Sequence, residues 1–194
     1  MKLLLASGSA TRRRMLADAG VPFEAALSAV DEDALKSRLI GMPPQEIAQR
    51  LADAKARSLA TDRRTLVLGS DQVLEQADGS ILSKAETQGA GLAQLRGLAG
   101  RTHKLHSTAS LVQDGTVIWR ASETAWLSMR HLSDAEIGAY LKTEWPHVRY
   151  NVGLYRIEGP GVQLFESIEG SHFAILGMPL LPLLAELRRR GVIA

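Results

Sequence analysis

The sequence predicts an α/β fold in which a mixed, twisted sheet is flanked by helices. Short apolar segments of strand length interleave with segments of helical periodicity, and Asp-Gly pairs between apolar segments mark two hairpins. Because the hairpins interrupt strict alternation of strands and helices, the sheet should be mixed rather than all parallel. The chain has 194 residues, of which 45% are apolar, and this suits one domain, or one domain with two lobes. We therefore expect residues 1–194 to form a single domain.

Apolar segments that end at polar turns predict strands, and apolar residues at helical spacing before Gly or Pro predict helices. In the first half of the chain these are strands at 2–6, 23–30 and 65–68, and helices at about 11–19 and 45–61. The third strand runs into Gly69-Ser70-Asp71-Gln72, which has the composition of a turn. Asp78-Gly79 predicts a hairpin between residues 73–74 and 81–82.

The second half of the chain continues the mixed pattern. Its predicted elements are a helix at about 90–98, strands at 103–112, 116–120 and 124–129, a strand or loop at 153–165, and a helix at about 179–190. Asp114-Gly115 predicts a second hairpin. Ser133 and Glu136 have the spacing of a capping box, which predicts a helix that begins after Ser133.

Composition excludes several classes of protein. There is no cysteine, which excludes disulfides, thiol nucleophiles and cysteine-ligated zinc. Lys and Arg total 23 against 21 for Asp and Glu, and only 5% of residues are aromatic, so we expect no nucleic-acid-binding surface. The longest apolar run, residues 173–185, contains Gly177, Pro179 and Pro182 and is too short to span a membrane. We expect a soluble, cytoplasmic protein without a membrane partner.

The first candidate site is the turn Ser7-Gly8-Ser9 with Arg12, Arg13 and Arg14 after it. The amides at a helix N-terminus favour anions, whereas arginines there oppose the helix dipole unless an anion lies nearby. Phosphate is the anion that guanidinium groups bind best, through paired donors. An N-cap serine beside a solvated basic face is the alternative reading. The segment is not a Walker loop, because no Gly-Lys-Ser/Thr follows it.

The second candidate is Asp71, which follows the strand predicted at 65–68. An acid at the end of a buried strand can hold a divalent cation or activate water, although an ordinary turn aspartate has the same pattern. Glu32, Lys55 and Lys84 are each more typical of a surface when taken alone, but Lys55 shares helical spacing with apolar residues. The histidines show no metal-ligand spacing.

Taken in order, these segments resemble the Maf family of nucleoside triphosphate pyrophosphatases over essentially the whole chain. The residues that carry the resemblance are Leu4-Leu5-Ala6-Ser7-Gly8-Ser9, Arg12-Arg13, Val30-Asp31-Glu32, Leu51-Ala52-Asp53-Ala54-Lys55-Ala56, Leu68-Gly69-Ser70-Asp71-Gln72-Val73, Lys84, Leu95-Arg96-Gly97-Leu98-Ala99-Gly100-Arg101-Thr102-His103, Leu132-Ser133-Asp134-Ala135-Glu136-Ile137, Glu158-Gly159-Pro160-Gly161, Ile168-Glu169-Gly170 and Leu176-Gly177-Met178-Pro179-Leu180. No single segment is specific, but the ordered set is.

The resemblance implies two lobes around a central cleft, as in inosine triphosphatase-like folds. It implies hydrolysis of a nucleoside triphosphate to the monophosphate and pyrophosphate with a divalent cation, Mg²⁺ or Mn²⁺. Asp71 matches the family's proposed general base. The positions that match the family's phosphate and metal contacts are Ser7, Arg12, Arg13, Lys55 and Lys84 for phosphate, and Glu32 with Asp71 for metal.

The resemblance also implies three positions that select the base, Thr11, Gln72 and Glu158. Gln72 and Glu158 resemble the branch that acts on 7-methyl-GTP, whereas Thr11 departs from both this branch and the one that acts on dTTP and UTP. The alternatives are therefore a dTTP/UTP pyrophosphatase of the same family, or a non-enzymatic nucleotide-binding regulator of cell division. The expected partner is a small-molecule nucleotide, with a homodimer as one option for the assembly.

Overall fold

A computed structural model describes residues 1–59 and 61–194 of the chain. Its strands are β1 (Lys2–Ala6), β2 (Glu24–Ala26), β3 (Thr65–Glu75), β4 (Ile81–Leu82), β5 (Thr102–Gln113), β6 (Thr116–Met129) and β7 (Phe165–Glu169). Its α-helices are α1 (Ala10–Asp18), α2 (Glu32–Arg38), α3 (Pro44–Arg57), α4 (Gln88–Leu98), α5 (Asp134–Val148), α6 (His172–Ile175) and α7 (Leu180–Arg189), and a 3-10 helix covers Pro160–Leu164.

The strands form one mixed sheet, as the sequence predicts. Their order is β2-β1-β3-β5-β6-β7, and β4 pairs with β3 outside this path. β1 is parallel to both β2 and β3, whereas β4 is antiparallel to β3, and β7 to β6. Leu5 lies opposite Leu68 in the parallel register, so the residues that follow β1 reach the level of Ser70 and Asp71.

The chain divides into two compact units, each made of segments distant in sequence. Unit 1 comprises Met1–Gln72, His106–Thr124 and Gly170–Ala194, and unit 2 comprises Val73–Leu105 and Ala125–Glu169. The predicted fold class is confirmed by the sheet and its helices. The prediction of one domain over residues 1–194 stays a prediction.

The core of unit 1 lies between its sheet and its helices. Leu5 of β1, Leu16 of α1, Leu68 of β3 and Leu183 of α7 are fully buried in a single cluster. Each such side chain contributes about 1.5–3 kcal/mol of hydrophobic stabilisation when it leaves water. This cluster holds the ends of β1 and β3 in place, where the candidate residues begin.

In unit 2, α4 packs against α5, and Gly91 allows the close approach. A Cβ at Gly91 would lie 2.8 Å from a methyl carbon of Leu154 and 3.0 Å from the Trp145 ring. The capping box at the start of α5 is confirmed, because Ser133 accepts from the Glu136 amide and Glu136 accepts from the Ser133 amide.

Both predicted hairpins are confirmed. β3 and β4 pair on either side of Asp78-Gly79, with Leu74 opposite Leu82. Asp114 and Gly115, between β5 and β6, have φ angles of 51° and 72°. Positive φ at both central residues is the requirement of a type I′ turn, which explains this Asp-Gly pair.

Several predicted boundaries were wrong. β3 does not end at residue 68 but continues through Asp71 to Glu75, because residues 69–71 are buried within the sheet and packing overrides their turn-like composition. β2 is shorter than predicted, and Leu27 beyond it is exposed. Residues 116–129 form one strand instead of two. At 153–165, where the sequence allowed a strand or a loop, turns and a 3-10 helix occupy most of residues 153–164, so the strand alternative is wrong.

Two helices differ from the prediction. α2 was not predicted, although Asp31 caps it by accepting from the Ala34 amide and Glu32 and Asp33 occupy its first turn. α3 begins at Pro44 and ends at Arg57. The helix predicted at 45–61 is therefore shorter at its C-terminus, and the part of the prediction that falls on Ala60 lies outside the described residues.

Candidate functional site

Lys55, Asp71 and Glu32 form an ion-pair cluster in unit 1. The Lys55 ammonium lies 2.8 Å from Glu32 Oε1 and also donates to Asp71 Oδ1. The side chains of Lys55 and Asp71 are 7% and 6% exposed, whereas that of Glu32 is 38% exposed. The structure thus brings together three of the residues predicted from the sequence. It places Asp71 inside β3 and not in the turn that the sequence suggested.

Small residues set the distance between Lys55 and Asp71. Lys55 belongs to the buried face of α3 together with Ala52 and Ala56. A Cβ at Gly69 of β3 would lie 2.6 Å from the Ala56 amide nitrogen and would also strike the Ala52 carbonyl. Because glycine has no Cβ, the backbones of α3 and β3 approach closely and Lys55 reaches the Asp71 carboxylate.

The N-terminus of α1 begins directly after β1 and carries the next group of predicted residues. Ser9 is the N-cap, and its hydroxyl accepts from the Arg12 amide at 3.3 Å. The buried Ser7 hydroxyl accepts from the Ser9 amide at 3.2 Å. These two bonds fix the turn, for which the sequence left open an anion site or an N-cap serine beside a basic face, and Ser9 is indeed the N-cap. Thr11 is half-buried in the first turn of the helix.

The three arginines of α1 have different surroundings. Arg12 is half-buried, and its Nε donates to the Gly177 carbonyl at 2.9 Å. Arg13 is exposed and donates to the Gly8 carbonyl at 3.3 Å, and Arg14 is exposed and pairs with Asp18. Burial lowers the pKa of the Arg12 guanidinium, while the charges of Asp71 and Glu32 act in the opposite direction. Arg12 therefore lies within the electric field of the ion-pair cluster.

Backbone carbonyls at the end of α6 complete the surroundings of Arg12. Gly177 has a φ of 103°, and the Met178 amide bonds the Phe173 carbonyl while the Gly177 amide bonds the Ala174 carbonyl. This pattern is a Schellman motif, which favours glycine at its left-handed position. The Gly177 carbonyl accepts from Arg12 and also lies 3.0 Å from the buried Ser70 hydroxyl.

Gln72 of β3, the last residue of the first segment of unit 1, contacts the end of α6. Its Nε2 lies 3.0 Å from Ser107 Oγ, 2.9 Å from the Ala174 carbonyl and 3.0 Å from the Ile175 carbonyl. The Ser107 hydroxyl donates to the Ala174 carbonyl at 2.6 Å. Sequence reasoning did not find Ser107 or the role of Gly177, because both act through contacts between distant segments.

The remaining predicted residues belong to unit 2. Lys84 follows β4 and Glu158 precedes the 3-10 helix, and both are exposed. Their assignment to phosphate and base contacts stays a prediction.

The oxygen donors of the cluster suit a hard divalent cation. Among residues 1–59 and 61–194, no three His, Cys, Asp or Glu side chains group closely enough to form a metal site. Glu32 and Asp71 nevertheless both reach a single cationic group, the Lys55 ammonium. Mg²⁺ is commonly bound by one or two carboxylates together with substrate phosphates rather than by a complete protein cage, so this pair fits such an ion.

A second carboxylate cluster in unit 1 was also missed by sequence reasoning. Asp53 of α3 accepts from both the Nε and Nη2 of Arg120, from Ser110 Oγ at 2.6 Å and from Gln49 at 3.2 Å. Hydrogen bonds from Arg120 and Ser110 lower the pKa of Asp53 against the opposing effect of its burial. The donors occupy this carboxylate so fully that we assign it a structural role.

Comparison with known proteins identifies the family. A profile of Maf-like proteins matches residues 2–190. The chain belongs to the Maf family. A "Nucleoside triphosphate pyrophosphatase" of Sphingopyxis alaskensis is 46% identical over 99% of this chain and 98% of its own length.

Two further relatives of this Maf protein cover it equally well. A "Nucleoside triphosphate pyrophosphatase 1" of a Jannaschia species is 45% identical over all of the chain and 98% of its own length. A "7-methyl-GTP pyrophosphatase" of Mesorhizobium japonicum is 47% identical over 99% of the chain and 98% of its own length. In the described part of the Maf chain, no helix combines the length and apolar character needed to cross a membrane.

Proposed function

We propose that this Maf protein hydrolyses a nucleoside triphosphate to the nucleoside monophosphate and pyrophosphate. The observation that carries the proposal is the buried Lys55–Asp71 pair with Glu32 beside it and Arg12 within its field. Cationic side chains that surround two carboxylates suit a substrate that is a polyanion accompanied by a cation. The names of the relatives, which are nucleoside triphosphate pyrophosphatases, support the same reaction.

The polyphosphate contacts come from the start of α1 and from the lysines. Ser7 supplies a hydroxyl beside the capped turn, and Arg12 and Arg13 supply guanidinium groups at the same helix end. Lys55 adds an ammonium from α3, and Lys84 is assigned to the phosphates on the resemblance alone. These donors stabilise the negative charge that passes to the leaving pyrophosphate.

Asp71 acts as the general base. A water bound at its carboxylate loses a proton to Asp71 as the water oxygen bonds to the α-phosphorus. The bond from the α-phosphorus to the oxygen that bridges to the β-phosphorus breaks, and pyrophosphate leaves with that bonding pair. Because Lys55 contacts Oδ1 of Asp71, we assign Oδ2 to the water.

Glu32 and Asp71 would hold the divalent cation, Mg²⁺ or Mn²⁺, together with the substrate phosphates. When bound, the cation supplies charge neutralisation of the phosphate oxygens. Within the chain, Lys55 balances the same two carboxylates, so a cation would share them with the Lys55 ammonium.

We propose a modified guanine nucleotide such as 7-methyl-GTP as the substrate, in keeping with the name of the Mesorhizobium relative. The exposed carboxylate of Glu158 suits the N–H donors of a guanine, and a methylated guanine carries a positive charge that it would also attract. Thr11 keeps its assigned role in base selection. The amide nitrogen of Gln72 faces three protein acceptors, so we give Gln72 no contact with the base.

The test is a turnover panel of 7-methyl-GTP, dTTP, UTP and the common nucleoside triphosphates with Mg²⁺ and with Mn²⁺. Release of pyrophosphate with 7-methyl-GTP at the highest kcat/KM supports the proposal. Faster turnover of dTTP and UTP would assign the protein to the pyrimidine branch of the same reaction. Absence of pyrophosphate release from every nucleotide would reject the enzyme and leave a nucleotide-binding regulator.

A further inference from the structure

We propose that Gln72 is a positioning residue for Arg12, acting through the backbone carbonyls at the end of α6. This proposal rests on the proposed function in one respect, that Arg12 contacts the substrate's phosphates. It assigns Gln72 to the affinity for polyphosphate and not to the choice of base.

The contacts of Gln72 determine which end of its amide points inward. Backbone carbonyls only accept hydrogen bonds, so the group 2.9 Å and 3.0 Å from the Ala174 and Ile175 carbonyls must be the NH₂. Ser107 adds a third acceptor at 3.0 Å and itself donates to Ala174. The two hydrogens of the Gln72 amide nitrogen are therefore engaged by the protein.

The Ala174 and Ile175 carbonyls that Gln72 binds lie three and two residues before the Gly177 carbonyl that accepts from Arg12. Ile175 is the last residue of α6, and Gly177 follows two residues later in the Schellman motif. Two hydrogen bonds, donated by the Gly177 and Met178 amides, close this segment into a turn. A shift of the Ala174 or Ile175 carbonyl therefore also moves the Gly177 carbonyl. Ser70, which is fully buried, contacts the Gly177 carbonyl from the same strand that carries Gln72.

Arg12 is oriented by this turn. Its Nε–H is bound to the Gly177 carbonyl, and because the guanidinium is planar, this bond fixes the plane in which the Nη hydrogens lie. The Arg12 amide is held separately by Ser9 at the N-cap, so both ends of the residue are fixed. A displaced Gly177 carbonyl would rotate the guanidinium while leaving the helix intact.

The probe is inorganic pyrophosphate, which has no base. Its dissociation constant is measured by calorimetry in Mg²⁺ for the full chain and for Gln72→Met, which keeps the length of the side chain without its donors. We expect binding about 10-fold weaker, since one to two hydrogen bonds that hold the turn are lost. We also expect the ratio of kcat/KM between 7-methyl-GTP and UTP to stay within about twofold of wild type.

Two further variants separate positioning from a general structural effect. Gln113→Met is the matched control, because Gln113 on β5 also donates to a backbone carbonyl, that of Arg63, away from the α6 turn. It should leave pyrophosphate binding unchanged. In an Arg12→Ala background, Gln72→Met should weaken pyrophosphate binding no further, because the group that it positions is gone.

Unchanged pyrophosphate binding in Gln72→Met would overturn the proposal, as would additive losses in the double variant or a tenfold change in the base ratio. If Gln72→Met does not fold, Ser107→Ala removes the neighbouring bond to Ala174 and should weaken pyrophosphate binding in the same direction. Calorimetry does not require turnover, so a failure of the proposed reaction is recognised separately. A wild-type chain that does not bind pyrophosphate would overturn the role of Arg12 and this proposal with it.

Discussion

Two buried polar pairs, Lys55–Asp71 in unit 1 and His103–Tyr155 in unit 2, differ in charge. In unit 1, Lys55 and Asp71 are buried as an ion pair. In unit 2, His103 is 1% exposed, and its Nε2 lies 2.7 Å from the Tyr155 hydroxyl. Burial lowers the pKa of His103 to about 4, so this pair is neutral at pH 7.

The difference between these two pairs makes the charged one the better candidate for chemistry. Burying an ion pair has a desolvation penalty that a neutral pair avoids, and apolar replacements of such pairs are often equally stable. A charged cluster that persists under this penalty is a candidate for function. The neutral His103–Tyr155 pair packs against Phe165, whose ring meets that of Tyr155 edge to face, and we assign it a structural role.

The largest expected effect concerns Asp71. Asp71→Asn should lower kcat for pyrophosphate release by about 10²–10⁴-fold, because the amide cannot accept the proton from water. Thermal unfolding should still show a folded protein. The comparison is made with initial rates on the best nucleotide of the panel.

Asp53→Asn is the matched control, since Asp53 is also a carboxylate of unit 1 with a cationic partner. It should reduce the free energy of unfolding by about 1–3 kcal/mol through its Arg120 and Ser110 bonds, with kcat changed less than about twofold. If Asp53→Asn lowered kcat as far as Asp71→Asn, the distinction between the two carboxylates would be wrong.

The second effect is on stability. Lys55→Met should reduce the free energy of unfolding by about 3 kcal/mol, because it leaves the buried Asp71 carboxylate without its counter-charge. Adding Asp71→Asn to Lys55→Met should restore much of that stability, since the unpaired charge is removed. Urea unfolding at pH 7 measures both, and a double variant no more stable than Lys55→Met would contradict the ion-pair account.

The smallest effect is the pH dependence of unit 2. The pKa of His103 is about 4 in the folded chain and near 6.5 in the unfolded chain. Between pH 6.5 and pH 4 the imidazole is therefore protonated in the unfolded chain and neutral in the folded chain. Stability from this residue is therefore present above pH 6.5 and falls as the pH drops towards 4, by about 2 kcal/mol between pH 7 and pH 5. His103→Gln should lose correspondingly less over that interval in urea unfolding. Equal pH dependence in the two proteins would show that His103 is not buried in its neutral form.

Local signals in the sequence predicted local structure well. The Asp-Gly hairpins and the Ser133 capping box were confirmed, because each depends on backbone requirements of a few adjacent residues. The extension of β3 through Asp71 was missed, because burial in the sheet overrides the turn-like composition of residues 69–72. Short-range patterns do not contain that information.

The candidate site likewise contains features that the local sequence predicted and features that depend on packing between distant segments. Lys55 was singled out by its spacing on a helical face, and the structure buries it there. Its pairing with Asp71 and Glu32 depends on the packing of separate elements. The bond from Arg12 to Gly177 joins residues 165 positions apart, and no spacing rule within one segment could predict it.

Gly69 has a consequence for experiments that scan the sequence without a structure. Its missing side chain keeps α3 against β3, and Lys55 and Asp71 extend from those two elements. In a saturation-mutagenesis screen for activity, position 69 should therefore tolerate as few residues as positions 55 and 71. A reader of such a screen would score it as catalytic, although the residue has no functional group to contribute.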